Sequence, residues 1–286
     1  MDHCSNNNNN NNNNNILQQN EIYGSNVNEH TKDIAYFKIF HQNIRGLASK
    51  TDELLSHIPP HSPHVLCLSE HHLRKEEICS THLEGYSLGM YFCRTTFKQG
   101  GVCIYVSNDI QFQSIDLDQF NKEKDLEICA INIHLPCNNS VTICINRSPT
   151  GNFNCFLKQL AYALDKLYKV SFDLILCGDF NIHHLEGNSW QHHLKYLFAL
   201  FNLSDIVKIP TRISNNSITL TDNFYINTSR LHFSIHPITN GLSDHDAQVL
   251  NLSFIIKEVN SQPISFLSKT NRESICNFKD LLSYEN

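Results

Sequence analysis

The chain has 286 residues, a formal net charge of -6 and 41% hydrophobic residues. That length suits one large α/β domain with tails or two small domains. The acidic balance is not the footprint of a strong charge-driven nucleic-acid binder, so any such contact must rest on a local basic patch or on metal ions. No apolar run is long enough to span a membrane, and no apolar segment near Met1 resembles a signal peptide.

Residues 1–33 hold ten consecutive asparagines, Asn6 to Asn15, and four acids (Asp2, Glu21, Glu29, Asp33) against Lys32. Low-complexity sequence of this kind has no means of building a core, and a disordered tail is expected. From Ile34 the pattern changes. Tyr36-Phe37-Lys38-Ile39-Phe40 reads as a strand ending at His41-Gln42-Asn43. Residues 49–58 suit a short helix with Ser49 or Thr51 as N-cap. Val65-Leu66-Cys67-Leu68 reads as a buried strand ending at Ser69-Glu70.

Four further β-rich runs follow at short spacing: Met90 to Cys93, Val102 to Val106, Leu126 to Ile131 and Val141 to Ile145. Such spacing suits antiparallel neighbours. Phe153, Phe156, Leu157, Leu160, Leu164 and Leu167 recur at helical spacing over 153–169. Leu174-Ile175-Leu176-Cys177 is then a strand buried on both faces, and Gly178 allows a tight exit. Residues 189–201 read as a helix. Asn223 to Ile226 and Ala247 to Phe254 close the domain as strands, and 257–286 are expected to be a linker or a fragment of something longer. Mixed strands with few intervening helices fit two packed sheets covered by helices better than a doubly wound parallel sheet.

The 11 cysteines are scattered, without a C-x-x-C pair, which argues against a structural zinc site. Cys67, Cys103, Cys129, Cys144 and Cys177 lie inside apolar runs and read as reduced core residues of an intracellular protein. The histidine doublets His71-His72, His183-His184 and His192-His193 read as surface.

Polar residues terminate apolar strands at four places: Asn43, Glu70, the pair Asp179 and Asn181, and Ser243-Asp244-His245. Asp222 opens a fifth strand. If the backbone stays extended past Gly178, Asp179 and Asn181 point to one side. Each residue alone has a plain structural reading as a turn, a strand-start acid or a satisfied core histidine. Sheets gather strand ends on one edge, so together these groups can share a cleft. They suit phosphodiester hydrolysis. Glu70 offers a hard oxygen ligand for a divalent cation. His245 and Asp222 form a candidate histidine–carboxylate pair. Asp179 is placed to deprotonate water. Asn43 and Asn181 offer amide donors to phosphate oxygens.

The sequence resembles the endonuclease/exonuclease/phosphatase superfamily, and within it the apurinic-like endonuclease domain of non-LTR retrotransposons. The resemblance rests on Gln42-Asn43-Ile44-Arg45-Gly46-Leu47, Leu68-Ser69-Glu70-His71-His72-Leu73, Gly100 to Val106, Arg147-Ser148-Pro149-Thr150-Gly151-Asn152, Gly178-Asp179-Phe180-Asn181, Pro210-Thr211-Arg212 and Leu242 to Gln248. These stretches run in family order over residues 36–256. The resemblance implies a four-layered α/β sandwich, DNase I-like, over residues 34–256, and a Mg²⁺-dependent nuclease (Mn²⁺ as alternative) acting on DNA. Position by position, it implies Glu70 as metal ligand with Asp244 near the metal or the water. Asp179 corresponds to the water-activating residue and Asn181 to a phosphate donor. Asn43 helps to hold the attacking group, and Thr211 contacts phosphate. Asp222 orients His245, and Ser243 supports it. Asn146 and Arg147 occupy substrate-binding positions.

Two departures stand out. Asn146 replaces a tyrosine assigned to the phosphate or the leaving group, and Arg45 replaces an aspartate of some DNA-repair members, as is usual in the retrotransposon branch. Relatives of that branch continue into a reverse transcriptase, so a truncated element or stand-alone remnant is expected, monomeric and without a membrane. The activity implies a nuclear location, although no targeting signal is seen. Two rivals stay open: a catalytically impaired remnant that only binds DNA or protein, and another phosphoesterase of the superfamily.

Overall fold

The computed structural model describes residues 34–58, 63–135, 139–168, 172–183, 187, 189–214 and 217–255. The expected tail at 1–33 and the segment at 257–286 lie outside the described residues. In chain order the elements are β1 (Ile34–Asn43), α1 (Thr51–His57), β2 (Val65–Ser69), α2 (Lys75–Ser80), β3 (Tyr86–Phe92), β4 (Val102–Ser107) and β5 (Phe112–Ile115). There follow β6 (Glu127–His134), β7 (Asn139–Asn146), α3 (Phe153–Leu167), β8 (Phe172–Asp179), α4 (Ser189–Ala199) and β9 (Ser204–Asp205). The domain closes with β10 (Arg212–Ser214), β11 (Ser217–Thr219), β12 (Asp222–Ile226), β13 (His232–Ile238) and β14 (Ala247–Ile255).

Two mixed six-stranded sheets result, ordered β13-β14-β1-β2-β4-β3 and β5-β6-β7-β8-β12-β9. The parallel pairs are β1 with β2 and β7 with β8. Both need a crossover, and α3 supplies the second. The inner faces meet in one apolar cluster that includes Ile39, Cys67, Ile104, Ile131, Cys144, Ile175, Cys177 and Phe224. Alternate residues of the second sheet, such as Ile128, Val141, Ile143 and Leu176, turn outward against α3 and α4. Phe40, Leu66, Leu68 and Tyr105 of the first sheet turn outward against Leu54 of α1 and Ile78 of α2. The period-two alternation of each strand thus builds four layers.

Local chemistry explains the element ends. The Asn152 side chain accepts the Cys155 amide at 2.9 Å and caps α3. Helix α1 is capped by neither Ser49 nor Thr51. Lys50 is its N-cap residue and makes no side-chain cap. Its Nζ instead donates to the carbonyls of Ile44 (2.7 Å) and Leu242 (2.6 Å), tying the helix start to the loops around the site. The elements the sequence pattern misses are short or peripheral: α2, β5, β9, β10, β11 and β13. Strand β13 contains Pro237 and is mostly exposed, as an edge strand can be.

The five core cysteines are buried free thiols. Cys129, Cys144 and Cys177 form one rung across β6, β7 and β8. Cys67 reaches in from the opposite sheet, and the sulfurs of Cys67, Cys144 and Cys177 lie within 4.8 Å of one another. No described helix is long and apolar enough to cross a membrane.

Candidate active site

Strands β1, β2 and β8 deliver their C-terminal ends to one edge of the domain. Strand β12 runs antiparallel to β8, so its first residue, Asp222, pairs with the last residue of β8, Asp179. Gly178 is required here by close packing: a Cβ at that position would lie 2.0 Å from the Ile145 carbonyl oxygen of β7. Beyond Asp179 the backbone does not stay extended. Asn181 adopts φ +50°. The turn folds its side chain back, so the pair meets by reversal rather than by strand alternation. The Asn181 amide donates to Asp179 Oδ1 at 2.9 Å. Its Nδ2 lies 3.2 Å from Asp179 Oδ2 and 2.6 Å from the Arg147 carbonyl.

Asn43, at the end of β1 in the other sheet, donates from Nδ2 to Asp179 Oδ2 at 2.9 Å. One side-chain contact therefore joins the two sheets at the site. Glu70 follows β2 in a left-handed conformation (φ +54°) with its amide bonded to the Gly101 carbonyl at 2.8 Å. Its carboxylate is partly exposed, with Oε2 3.4 Å from His72 Nε2 and 3.9 Å from Arg45 Nε. Arg45, Glu70 and Asn181 are all left-handed at strand exits. For non-glycine residues this stores strain, which is concentrated here around one cleft.

His245 is nearly fully buried. Its Nδ1 lies 2.8 Å from Asp222 Oδ2, and its Nε2 lies 4.0 Å from Asp179 Oδ2. Thr211 Oγ1 donates to the same Asp222 oxygen at 2.8 Å, and Thr221 Oγ1 lies 3.2 Å away. Ser243 Oγ donates to the Asn43 carbonyl at 2.6 Å and accepts the His245 amide at 3.1 Å. Gln42 Nε2 donates to the His245 carbonyl at 3.0 Å.

The electrostatics follow from this packing. Burial opposes the charge on His245, but Asp222, then Asp179 and Asp244, outweigh it and lift the imidazolium pKa to about 9. Burial, Asp222 and Glu70 push the Asp179 carboxyl up to about 6, against the pull of His245 and the Asn181 amide. Burial opposes ionisation of Asp222, yet His245, His41 and Thr211 hold its pKa below the ordinary value. Glu70 is likewise held low against burial, by His72, Asn43 and Arg45. The site thus contains one carboxyl that titrates near neutrality beside a histidine that stays charged.

The structure brings Asn43, Glu70, Asp179, Asn181, Asp222, Ser243 and His245 together. It places four of the expected residues differently. Asp244 stands at the rim with both oxygens engaged, 2.6 Å from Arg45 Nη1 and 2.8 Å from Arg212 Nε. Burial of Asp244 is slight, and the two arginines hold its pKa down to about 2. Thr211 is buried and serves Asp222 rather than solvent. Asn146 is fully buried and donates to Glu127 Oε2 at 2.9 Å. Arg147 is also fully buried, donating to the Gly151 carbonyl at 2.9 Å with its guanidinium carbon 5.0 Å from the Trp190 ring. Two partner sets carried no sequence signal: the Arg45–Asp244–Arg212 cluster, and the buried Glu127, which accepts from Arg94 and Gly101. His71, expected at the surface, is buried between the Leu73 amide and the Phe92 carbonyl, and burial lowers its pKa to about 4.

A hard divalent cation fits this donor set by its chemistry. Glu70 presents a partly exposed carboxylate, an oxygen ligand of the kind such a cation takes. Ligand atoms of Asp179, Asp222 and His245 lie within 4.8 Å of one another, close enough to share a cation. Because His245 Nδ1 and Asp222 Oδ2 already satisfy each other, Glu70 is the better holder.

Residues 40–245 match the Endonuclease/Exonuclease/phosphatase family. The chain belongs to this family. No curated protein matches the chain in sequence. Among solved structures, the endonuclease domain of TRAS1, a telomere-specific non-LTR retrotransposon, is similar with TM-score 0.59 at 15% identity, covering 76% of this chain and 98% of that one. TDP2 from D. rerio complexed with single strand DNA product gives 0.58 at 13%, covering 76% and 99%. The human Nocturnin catalytic domain with bound sulfate anion gives 0.56 at 15%, covering 78% and 97%. At these identities the likeness is one of fold: two packed mixed sheets with flanking helices. Family membership supports a phosphoesterase or nuclease enzyme.

Proposed function

We propose that this chain is a divalent-metal-dependent DNA endonuclease that hydrolyses phosphodiester bonds, related to the target-site nickases of non-LTR elements. The observation that carries the reading is the buried His245 held between Asp222 and Asp179, with Asn43 bridging the sheets to Asp179. Asp179 accepts a proton from the attacking water, for which a carboxyl titrating just below neutrality is matched. Asn43 and Asn181 fix its oxygens. The imidazolium of His245 offers Nε2–H to a phosphoryl oxygen while Asp222 holds the other ring nitrogen and the charge. When bound at Glu70, Mg²⁺ or Mn²⁺ supplies Lewis-acid stabilisation of charge on the phosphoryl group.

DNA, rather than a small phosphate, is favoured by the hairpin of β10 and β11. Ile213 and Ile218 pair across it and are 57% and 61% exposed, while Arg212 at its base reaches Asp244. Exposed aliphatic side chains beside cations suit a nucleic-acid groove. The reading takes residues 34–256 as the nuclease unit of a monomer, and its substrate implies a nuclear location.

Nicking of supercoiled plasmid tests the reading. Mg²⁺- or Mn²⁺-dependent nicking that a chelator stops, and that Asp179→Ala and His245→Ala each abolish, is expected. Near-normal nicking by both variants would remove the mechanism. A second reading, an impaired remnant, is favoured by one observation: Asn146 turns to Glu127 and offers nothing to a leaving group. It gains if neither this chain nor Asn146→Tyr cleaves with either metal.

A further inference from the structure

Trp190 is the only tryptophan of the chain and the second residue of α4. Its ring stacks on Phe153 with centroids 4.8 Å apart and planes 13° from parallel. The buried guanidinium of Arg147 lies 5.0 Å from the indole, 5.6 Å from Phe153 and 5.8 Å from Phe156. These neighbours fix the ring, yet 44% of the residue stays exposed. A large aromatic held rigid and left open at a rim has lost its side-chain entropy without full burial.

Its position is specific. Arg147 follows the last residue of β7, and its amide donates to the Asp179 carbonyl at 3.0 Å. Its carbonyl accepts Asn181 Nδ2 at 2.6 Å. The indole therefore stands two contacts from the Asp179 backbone and three from its carboxylate, through Arg147 and Asn181, on the same edge of the second sheet. No step of the mechanism above uses it.

We propose that Trp190 is a stacking platform for an unpaired nucleobase on the strand that carries the scissile phosphodiester, a reading that rests on the nuclease function proposed above. Every base presents a π-face, so such a platform accepts any sequence. Inside an intact duplex the neighbouring bases occupy both faces of each base, so an indole stacks only where a base is unpaired, splayed or terminal. The substrate class is then DNA with a single-stranded stretch or distortion beside the cleavage point, rather than undisturbed duplex.

The single tryptophan makes the test direct. A short single-stranded oligodeoxynucleotide, end-labelled for anisotropy, is titrated into the protein with Ca²⁺, and Trp fluorescence is followed. Quenching that tracks binding is expected, and it is lost with an oligonucleotide carrying abasic sites at its centre. Trp190→Ala is expected to raise KM for a single-stranded or splayed substrate by about ten-fold, the size of ~1.4 kcal/mol of stacking. Trp190→Phe restores most of it, and circular dichroism checks that each variant is folded. Binding without quenching, equal quenching by the abasic probe, or an unchanged KM in folded Trp190→Ala overturns the platform. If the protein nicks plasmid but shows no indole response, only the platform falls. If it neither nicks nor binds, the nuclease reading falls with it.

Discussion

His245 Nδ1 meets Asp222 Oδ2 at 2.8 Å across 23 residues of sequence, and both side chains are buried. An imidazolium in that setting depends on its carboxylate. Asp222→Asn keeps the shape and removes the charge, so the His245 pKa should fall from about 9 toward the ordinary ~6.5. The expected result is a loss of nicking of roughly 10²- to 10⁴-fold at pH 8, with less loss at pH 6. An unchanged alkaline limit in the pH–rate profile would show that Asp222 does not set the charge on His245.

Two groups bound the active protonation state. Asp179 must be ionised to accept a proton, so rate should rise as pH passes about 6. His245 must stay protonated to donate, so rate should fall as pH passes about 9. The kcat/KM profile is therefore a bell whose limbs belong to the coupled pair rather than to either residue alone. The same groups act on stability in the same direction, in successive windows. The raised His245 pKa gives stability that is complete below its unfolded value and fades as pH rises through about 9. The raised Asp179 pKa gives stability that is complete in acid and fades as pH rises through about 6. A profile flat from pH 5 to 10 would exclude both assignments.

Much of this arrangement was legible in the sequence, for a physical reason. Strands buried on both faces read as apolar runs, so polar residues at their ends stand out, and strands that run the same way, like β1 and β2, bring those ends to one edge while antiparallel β12 brings its start there. Asn43, Glu70, Asp179 and Asp222 were found in that way. The partners were not. Nothing in the order of residues shows that Arg45 and Arg212 clasp Asp244, or that Thr211 turns inward to Asp222, because those contacts depend on loops and on a hairpin too short to carry a pattern. The buried place of His71 is not legible because a histidine doublet reads as polar, whereas here the ring has a donor and an acceptor waiting inside. Edge strand β13 carries no apolar pattern because an edge does not need an apolar face.

Glu123 anchors the loop between β3 and β4. It accepts the amides of Thr95 (2.6 Å), Thr96 (3.0 Å) and Phe97 (3.0 Å) and the Thr95 hydroxyl (2.8 Å). Slight burial opposes its charge, but these donors hold its pKa down to about 2. Its contribution is therefore present above the ordinary Glu value near ~4.3 and is lost as pH falls toward 2. Glu123→Gln should speed hydrogen exchange of the Thr96 and Phe97 amides by about ten-fold at neutral pH. Unaltered exchange would mean that the loop holds itself.

The core thiols should be chemically silent. Burial pushes Cys67, Cys103, Cys129 and Cys177 well above the ordinary thiol value, and a thiol without thiolate or access does not react. Cys79 is exposed and Cys155 is partly so. Brief treatment with an alkylating reagent at pH 8 should label these two while sparing Cys67, Cys103, Cys129, Cys144 and Cys177 until the chain is unfolded. Labelling of Cys144 or Cys177 in the native protein would show that the sheets open.

Asn146 separates a structural role from a substrate role. It pairs across strands with Glu127 and donates to it inside a fully buried cluster. Glu127 also accepts from the Lys124 amide (3.0 Å), the Gly101 amide (2.6 Å) and the Arg94 guanidinium. Removing one donor to a buried carboxylate costs ~1.5–3 kcal/mol, so Asn146→Ala should lower the unfolding free energy by that amount. Glu127→Ala should cost more, about 3–5 kcal/mol, because it leaves Arg94 charged and unpaired in the interior. If Asn146 instead touched phosphate, its loss would appear as a raised KM with stability intact. Denaturant unfolding beside steady-state kinetics on the same variant distinguishes the two, because the buried geometry allows the first outcome and not the second.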